Sequence, residues 1–161
     1  MMTANRCFML LAMLALVSCT TQTPPVVDRE ALLTSLTTAN AEYEASLAAL
    51  DIESATSWYS ADAVLYMPGL DALAGVDAIR EFMDAAAADP NVAAEFSSGY
   101  AAISDDGALG YTMSPMAHTY TGEDGTIVTD HMRDFHVWRR SSDGAWQLVI
   151  DVANTAPAQE E

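Results

Sequence analysis

Residues 134–152, Asp134-Phe135-His136-Val137-Trp138-Arg139-Arg140-Ser141-Ser142-Asp143-Gly144-Ala145-Trp146-Gln147-Leu148-Val149-Ile150-Asp151-Val152, decide the fold. Two runs rich in aromatic and β-branched residues flank Ser142-Asp143-Gly144, a turn signal, so the stretch predicts a β-hairpin. Its arms extend to about 126–140 and 145–153. Two more strand segments precede it, at about 92–104 and 108–121. Asp105-Asp106-Gly107 and Gly122-Glu123-Asp124-Gly125 supply the intervening turns.

Upstream the period changes. From Asp28 to about Leu50, Leu32, Leu36, Tyr43, Leu47 and Leu50 form one apolar stripe at helical spacing, and Asp28 is placed to cap it. A short second helix runs from Asp51 to about Tyr59. Ala63 to Met67 is a strand stopped by Pro68-Gly69, and Val76 to about Ala88 is a third helix with Ile79, Phe82 and Met83 inward. Helices first and a meander afterwards predict an α+β domain, its helices on one face of a mainly antiparallel sheet.

Pairing the final hairpin locates candidate chemistry. With Arg140 opposite Ala145, Trp138 meets Gln147, His136 meets Val149 and Asp134 meets Asp151. One face then carries Phe135, Val137, Trp146, Leu148, Ile150 and Val152. The other carries Met132, Asp134, His136, Trp138, Gln147, Val149, Asp151 and Ala153. Either the second face lines a pocket, or the first is a dry core and the second meets water; a one-residue slip exchanges them. Two facing carboxylates repel, which raises one pKa when they are desolvated, and an imidazole beside them can trade protons near neutral pH. A solvated acidic strand edge is the alternative.

Three local patterns carry a family resemblance. Asp51 followed by Trp58-Tyr59-Ser60-Ala61-Asp62-Ala63-Val64-Leu65, Gly75-Val76-Asp77-Ala78-Ile79-Arg80-Glu81-Phe82, and Val137-Trp138-Arg139-Arg140 through Asp143-Gly144-Ala145-Trp146-Gln147-Leu148-Val149 resemble motifs of the NTF2-like superfamily. Its members include ketosteroid isomerase, SnoaL-like cyclases and DUF4440 proteins. The resemblance implies a cone-shaped α+β fold with a pocket, formed by residues 28–155. It also implies a homodimer through the outer sheet face. Fold alone does not fix activity.

Comparison with the isomerases implies that the Asp134–His136 face lines the cone. Tyr43, eight residues before Asp51, matches their oxyanion-hole tyrosine. A phenol there can polarise a carbonyl, although a stripe tyrosine can equally be core. Met67 stands before Pro68 where the isomerase base would be, and His136 replaces the second oxyanion donor. Steroid isomerisation is therefore not expected. Trp58, Tyr66, Phe82, Met83 and Trp138 would suit a small apolar ligand. Three functions remain open: ligand binding without chemistry, SnoaL-like acid–base catalysis by His136, Asp134, Asp151 and Tyr43, and dimeric assembly.

Composition excludes other classes. Six arginines, no lysine and 23 acidic residues give a net charge of −17, which repels nucleic acid and anionic lipid. No phosphate loop, HExxH or GxSxG pattern occurs, and strand alternation sends His131 and His136 to opposite faces. No cofactor and no metal are expected. Both cysteines, Cys7 and Cys19, precede the domain. Arg6 and the ten-residue apolar run Phe8–Val17 read as an export signal, too short to span a bilayer. Leu16-Val17-Ser18-Cys19 resembles the bacterial lipobox, which implies removal of residues 1–18 and lipidation of Cys19. Residues 19–27 then form a tether and 156–161 an acidic tail. Thr20 after the Cys leans towards the outer membrane in a Gram-negative envelope.

Overall fold

The computed structural model describes residues 28–156. The export signal, Cys19, the tether and residues 157–161 lie outside the described residues.

Two helices come first, and a third follows two intervening strands. Helix α1 spans Arg29–Ala48 and α2 spans Ile52–Ser57. Each opens on an aspartate cap. Asp28 Oδ1 accepts from the Ala31 N–H at 3.1 Å, and Asp51 Oδ1 accepts from the Ser54 N–H at 3.0 Å, so each carboxylate satisfies an N–H that the first turn leaves unpaired. The buried face of α1 is more polar than the expected stripe: Leu36, Ala39, Asn40, Tyr43 and Ser46 are buried, whereas Leu50 is exposed. Helix α3 covers Val76–Ala87 and buries Ile79 and Met83.

The strands are β1 (Tyr59–Tyr66), β2 (Leu73–Ala74), β3 (Ala93–Phe96), β4 (Tyr100–Ile103), β5 (Leu109–Thr121), β6 (Ile127–Arg140) and β7 (Trp146–Thr155). They form one open sheet in the order β2-β1-β7-β6-β5-β3, with β4 also on β5. All pairs are antiparallel except β1 with β7. The helices cover the face that carries Trp138, Trp146, Leu148 and Leu65, which join Leu36, Tyr43, Ile79 and Met83 in the core.

Two bulges correct the expected strands. The 92–104 segment is broken at Ser97–Gly99, because Phe96 pairs with Met116 but Tyr100 pairs with Met113, one residue out of step. The cause faces the break. Pro115 has no N–H to give the ladder, and its carbonyl accepts from Ser97 instead. A Cβ on Gly99 would lie 2.2 Å from the Met113 carbonyl oxygen, so the bulge closes on β5 only with glycine there.

The final hairpin has a longer loop than expected, with Arg140 opposite Trp146 rather than Ala145. This turns Trp146 and Leu148 inward and Gln147 outward, reversing their expected faces. A bulge at Val149 then shifts the register again, and Asp151 and Ala153 end on the inner face as expected. Asp151 stands opposite His136, and Asp134 opposite Ala153, not opposite Asp151. The longer loop and a single bulged residue thus together set which groups meet in the interior.

Candidate acid–base site

His136 lies at the centre, fully buried on β6. Its hydrogen bonding has one consistent assignment. Trp138 Nε1–H donates to Thr112 Oγ1 at 3.0 Å, so the Thr112 proton goes to Asn40 Oδ1 at 2.6 Å. Asn40 Oδ1 lies 2.9 Å from His136 Nδ1, and Asn40 Nδ2 donates to Glu44 Oε1 at 2.7 Å. An amide oxygen only accepts, so Nδ1 carries a proton and Nε2 is the working nitrogen.

Nε2 faces two carboxyl groups. Asp134 Oδ2 is 2.9 Å away and Asp151 Oδ1 3.7 Å away. The Asp134 oxygen is out of line with the ring N–H, so the contact is ionic rather than an aligned hydrogen bond. Burial alone would depress the His136 pKa. The charges of Asp134 and Asp151 outweigh it and lift the pKa to about 9. Burial, with the charge of Asp134, raises Asp151 to about 7 despite His136 and two tyrosines pulling the other way.

Those tyrosines are Tyr43 on α1 and Tyr59 on β1. Tyr43 Oη donates to Asp151 Oδ2 at 2.9 Å, Tyr59 Oη donates to the same oxygen, and the phenol oxygens are 2.6 Å apart. Burial first, and the Asp151 charge second, keep both phenols protonated. Two phenol protons serve this ring of three oxygens when Asp151 is ionised. The carboxyl proton completes it when Asp151 is neutral. Either protonation state is therefore supported, which a proton-transfer group requires.

Asp151 Oδ1 has no hydrogen-bond partner, and its residue lies in the floor of a cavity of about 100 Å³. Tyr43, Asp134 and Ala153 share that floor. Leu47, Leu65, Met67, Phe82, Met83 and Met116 make apolar walls, and Leu50, 40% exposed, stands at the edge. His118 adds an imidazole whose pKa burial lowers, against the pull of Asp130.

Of the expected residues, Tyr43, Asp134, Asp151, Phe82 and Met83 line this cavity, and His136 sits directly behind the two aspartates. Three expected ligand contacts are corrected. Tyr66 points away and is 45% exposed, because it falls on the outer phase of β1. Trp138 is core, and Trp58 packs edge-to-face on it at 6.1 Å. Tyr59, Asn40 and Thr112 were not expected in the site. Asn40 lies four residues after Leu36 and three before Tyr43, on the same helix face, and Tyr59 shares strand phase with Ala63 and Leu65 once β1 is extended back. Those spacings are the signals that would have found them.

Asp134, His136 and Asp151 also bring three possible metal-ligand atoms within 4.8 Å of one another, contrary to the expectation that no metal-binding group would form.

No protein-family model matches the chain, and no curated protein sequence does. Solved structures do. A ketosteroid isomerase-like protein from Erwinia carotovora atroseptica superimposes with a TM-score of 0.64 at 21% identity, over 78% of this chain and 97% of its own. A protein of the NTF2-like family from Streptomyces avermitilis, proposed to be a dehydratase, gives 0.66 at 16% identity over 80% and 99%. A proposed scytalone dehydratase from Novosphingobium aromaticivorans gives 0.66 at 13% over 79% and 85%. The fold is thus the NTF2-like α+β cone.

Proposed function

We propose that the cone takes up a small, mainly apolar molecule and that Asp151 moves a proton to or from it. The observation that carries this is Asp151 Oδ1, buried at a cavity with mainly apolar walls and left without a hydrogen-bond partner. A carboxyl group of pKa near 7 is matched to general acid–base work at neutral pH. The reaction class is a proton shift beside a carbonyl or loss of a hydroxyl group, as in isomerases and dehydratases. The names of the structural neighbours are compatible with that class. The envelope setting read from residues 1–27 rests on those residues alone.

Thermal unfolding of the purified protein against small enones, hydroxy ketones and aromatic ketones tests the reading. A ligand at 100 times its Kd adds about 2.7 kcal/mol, a shift of several degrees. Phe82→Ala is expected to weaken such a ligand, and turnover of it is expected to bend near pH 7. Turnover that stays flat from about pH 5 to 9 would remove Asp151 from the chemistry. Binding without turnover is the second reading. It is favoured by Met67, which lines the cavity, cannot accept a proton, and stands where the resemblance to the isomerases implies their base.

The proposal includes a homodimer through the outer sheet face, where Tyr111, Met113 and Ile150 are exposed and Tyr111 lies 5.9 Å from Phe135. Sedimentation is expected to show a dimer that Phe135→Asp dissociates; a monomeric parent protein would end this part of the proposal.

A further inference from the structure

Residues of two cavities meet at the buried His136 ring: Asp134 and Asp151 of the first face Nε2, and Asn40 and Thr112 of the second face Nδ1. The second, of about 400 Å³, lies on the Nδ1 side, between α1 and the Ser97–Gly99 bulge. Its walls differ in kind from those of the first. Hydroxyl groups of Thr37, Ser97, Ser98 and Ser114 line it together with the Asn40 amide and the Glu44 carboxylate, and no arginine or histidine does.

Glu44 is the distinctive group. It is partly buried, and Oε1 accepts from Asn40 at 2.7 Å. No arginine or histidine pairs with it among the described residues, where the cations in ion pairs are Arg29, Arg139 and His136. A carboxylate bounded by neutral polar groups can take a cationic ligand as its counter-ion. Hydroxyl oxygens around it accept the several N–H bonds that an ammonium donates. The net charge of −17 raises the local concentration of cations and lowers that of anions.

We propose that this polar cavity is a binding site for a primary ammonium group, with Glu44 as its counter-ion. The site stands whether or not Asp151 performs chemistry next door. Its occupant also communicates with His136. Glu44 orients Asn40, Asn40 accepts from His136 Nδ1, and the Glu44 charge contributes to holding the second proton on the ring. An ammonium group at Glu44 therefore meets the same Asn40 side chain that holds the His136 ring, so its binding is felt at both side chains.

The test uses n-butylammonium chloride with the full chain, followed by the ¹⁵N signals of the Asn40 side-chain amide and of the His136 ring. Expected are saturable shifts of both with a Kd in the low millimolar range and about a tenfold or greater loss of affinity in Glu44→Gln. Butanol probes the alkyl chain, butyrate the opposite charge, and sodium chloride at equal ionic strength the screening. Glu44→Gln keeps size and the contact to Asn40; its melting temperature shows that it is folded. No saturable shift up to about 100 mM, equal binding of butanol, or unchanged affinity in Glu44→Gln overturns the proposal. A failure here leaves the binding of ketones in the first cavity unaffected, so it is distinguishable from a failure of the acid–base reading.

Discussion

Replacing His136 with leucine is expected to destabilise the protein by about 3–5 kcal/mol at pH 8, a fall of roughly 10–20 °C in melting temperature. The imidazolium is the cation that the Asp134 and Asp151 carboxyl groups face, at 2.9 and 3.7 Å, and all three residues are buried. Leucine fills much of the volume but leaves two carboxyl groups with no counter-charge in a low-dielectric interior. It also strands the Asn40 oxygen that accepts from Nδ1.

The loss depends on pH with a definite sign. His136 holds its proton up to about 9 against an ordinary value of 6.5. Its contribution is therefore fully present below about pH 6.5 and lost as pH rises through 9. Asp151 is raised to about 7 from 3.8, so the folded state binds more protons than the unfolded state over that range, and stability falls as pH rises from about 4 to 7. Both groups run the same way. The two shifts together set an expected loss on the order of 6 kcal/mol between pH 5 and pH 9. The exposed aspartates whose pKa is lowered by hydrogen bonds, such as Asp51 and Asp89, act oppositely but only below about pH 4. The His136→Leu penalty carries the proton-linked part of the His136 contribution in full at pH 5 and has lost some of it at pH 8, so the two values are expected to differ. Urea unfolding at pH 5 and pH 8 measures this. An equal loss at both values would mean that His136 acts through packing alone.

Asp151→Asn is expected to separate stability from chemistry. Asparagine keeps the shape and an oxygen that can still accept from Tyr43 and Tyr59. It removes a charge whose desolvation is the largest cause of the Asp151 pKa shift. His136 retains Asp134 as its counter-ion. The melting temperature at pH 8 is therefore expected to hold or rise by a few degrees, while turnover of any ligand found for the first cavity falls by about 10²–10⁴-fold and its pH dependence near 7 disappears. A variant that melts much lower at pH 8 would make Asp151 a structural group. Retained turnover would place the proton transfer elsewhere, with Asp134, His118 and Tyr43 the other titratable groups of the cavity.

Much of the fold was legible in local sequence, for identifiable reasons. The aspartate caps at Asp28 and Asp51, the Gly75 start of α3 and the Gly107, Gly125 and Gly144 turns depend on residues within a few positions of one another. The approximate strands and the α+β order followed from these breaks and from the change of hydrophobic period. The hairpin register did not follow. Leu148-Val149-Ile150 is an unbroken apolar run, so alternation cannot show where the strand changes phase, and the Val149 bulge changes it there. The Ser97–Gly99 break likewise answers a proline on a different strand.

By itself, then, the sequence determined the element types, the acidic surface, the absence of cysteine from residues 28–156, and the presence of Tyr43, Asp134, His136 and Asp151 as groups worth watching. Only the tertiary structure decided that they meet. Tyr43 and Tyr59 reach Asp151 across 108 and 92 residues of chain. Asn40 reaches His136 across 96. A hairpin loop one residue longer than expected and one bulged residue together put Asp151 opposite His136 instead of Asp134. Local pattern carries information over a turn of helix or a strand pair, whereas a buried charge network depends on the register of strands and on which helix covers them. Those are properties of the packed whole, because desolvation acts on the carboxyl and imidazole groups only once every layer is in place.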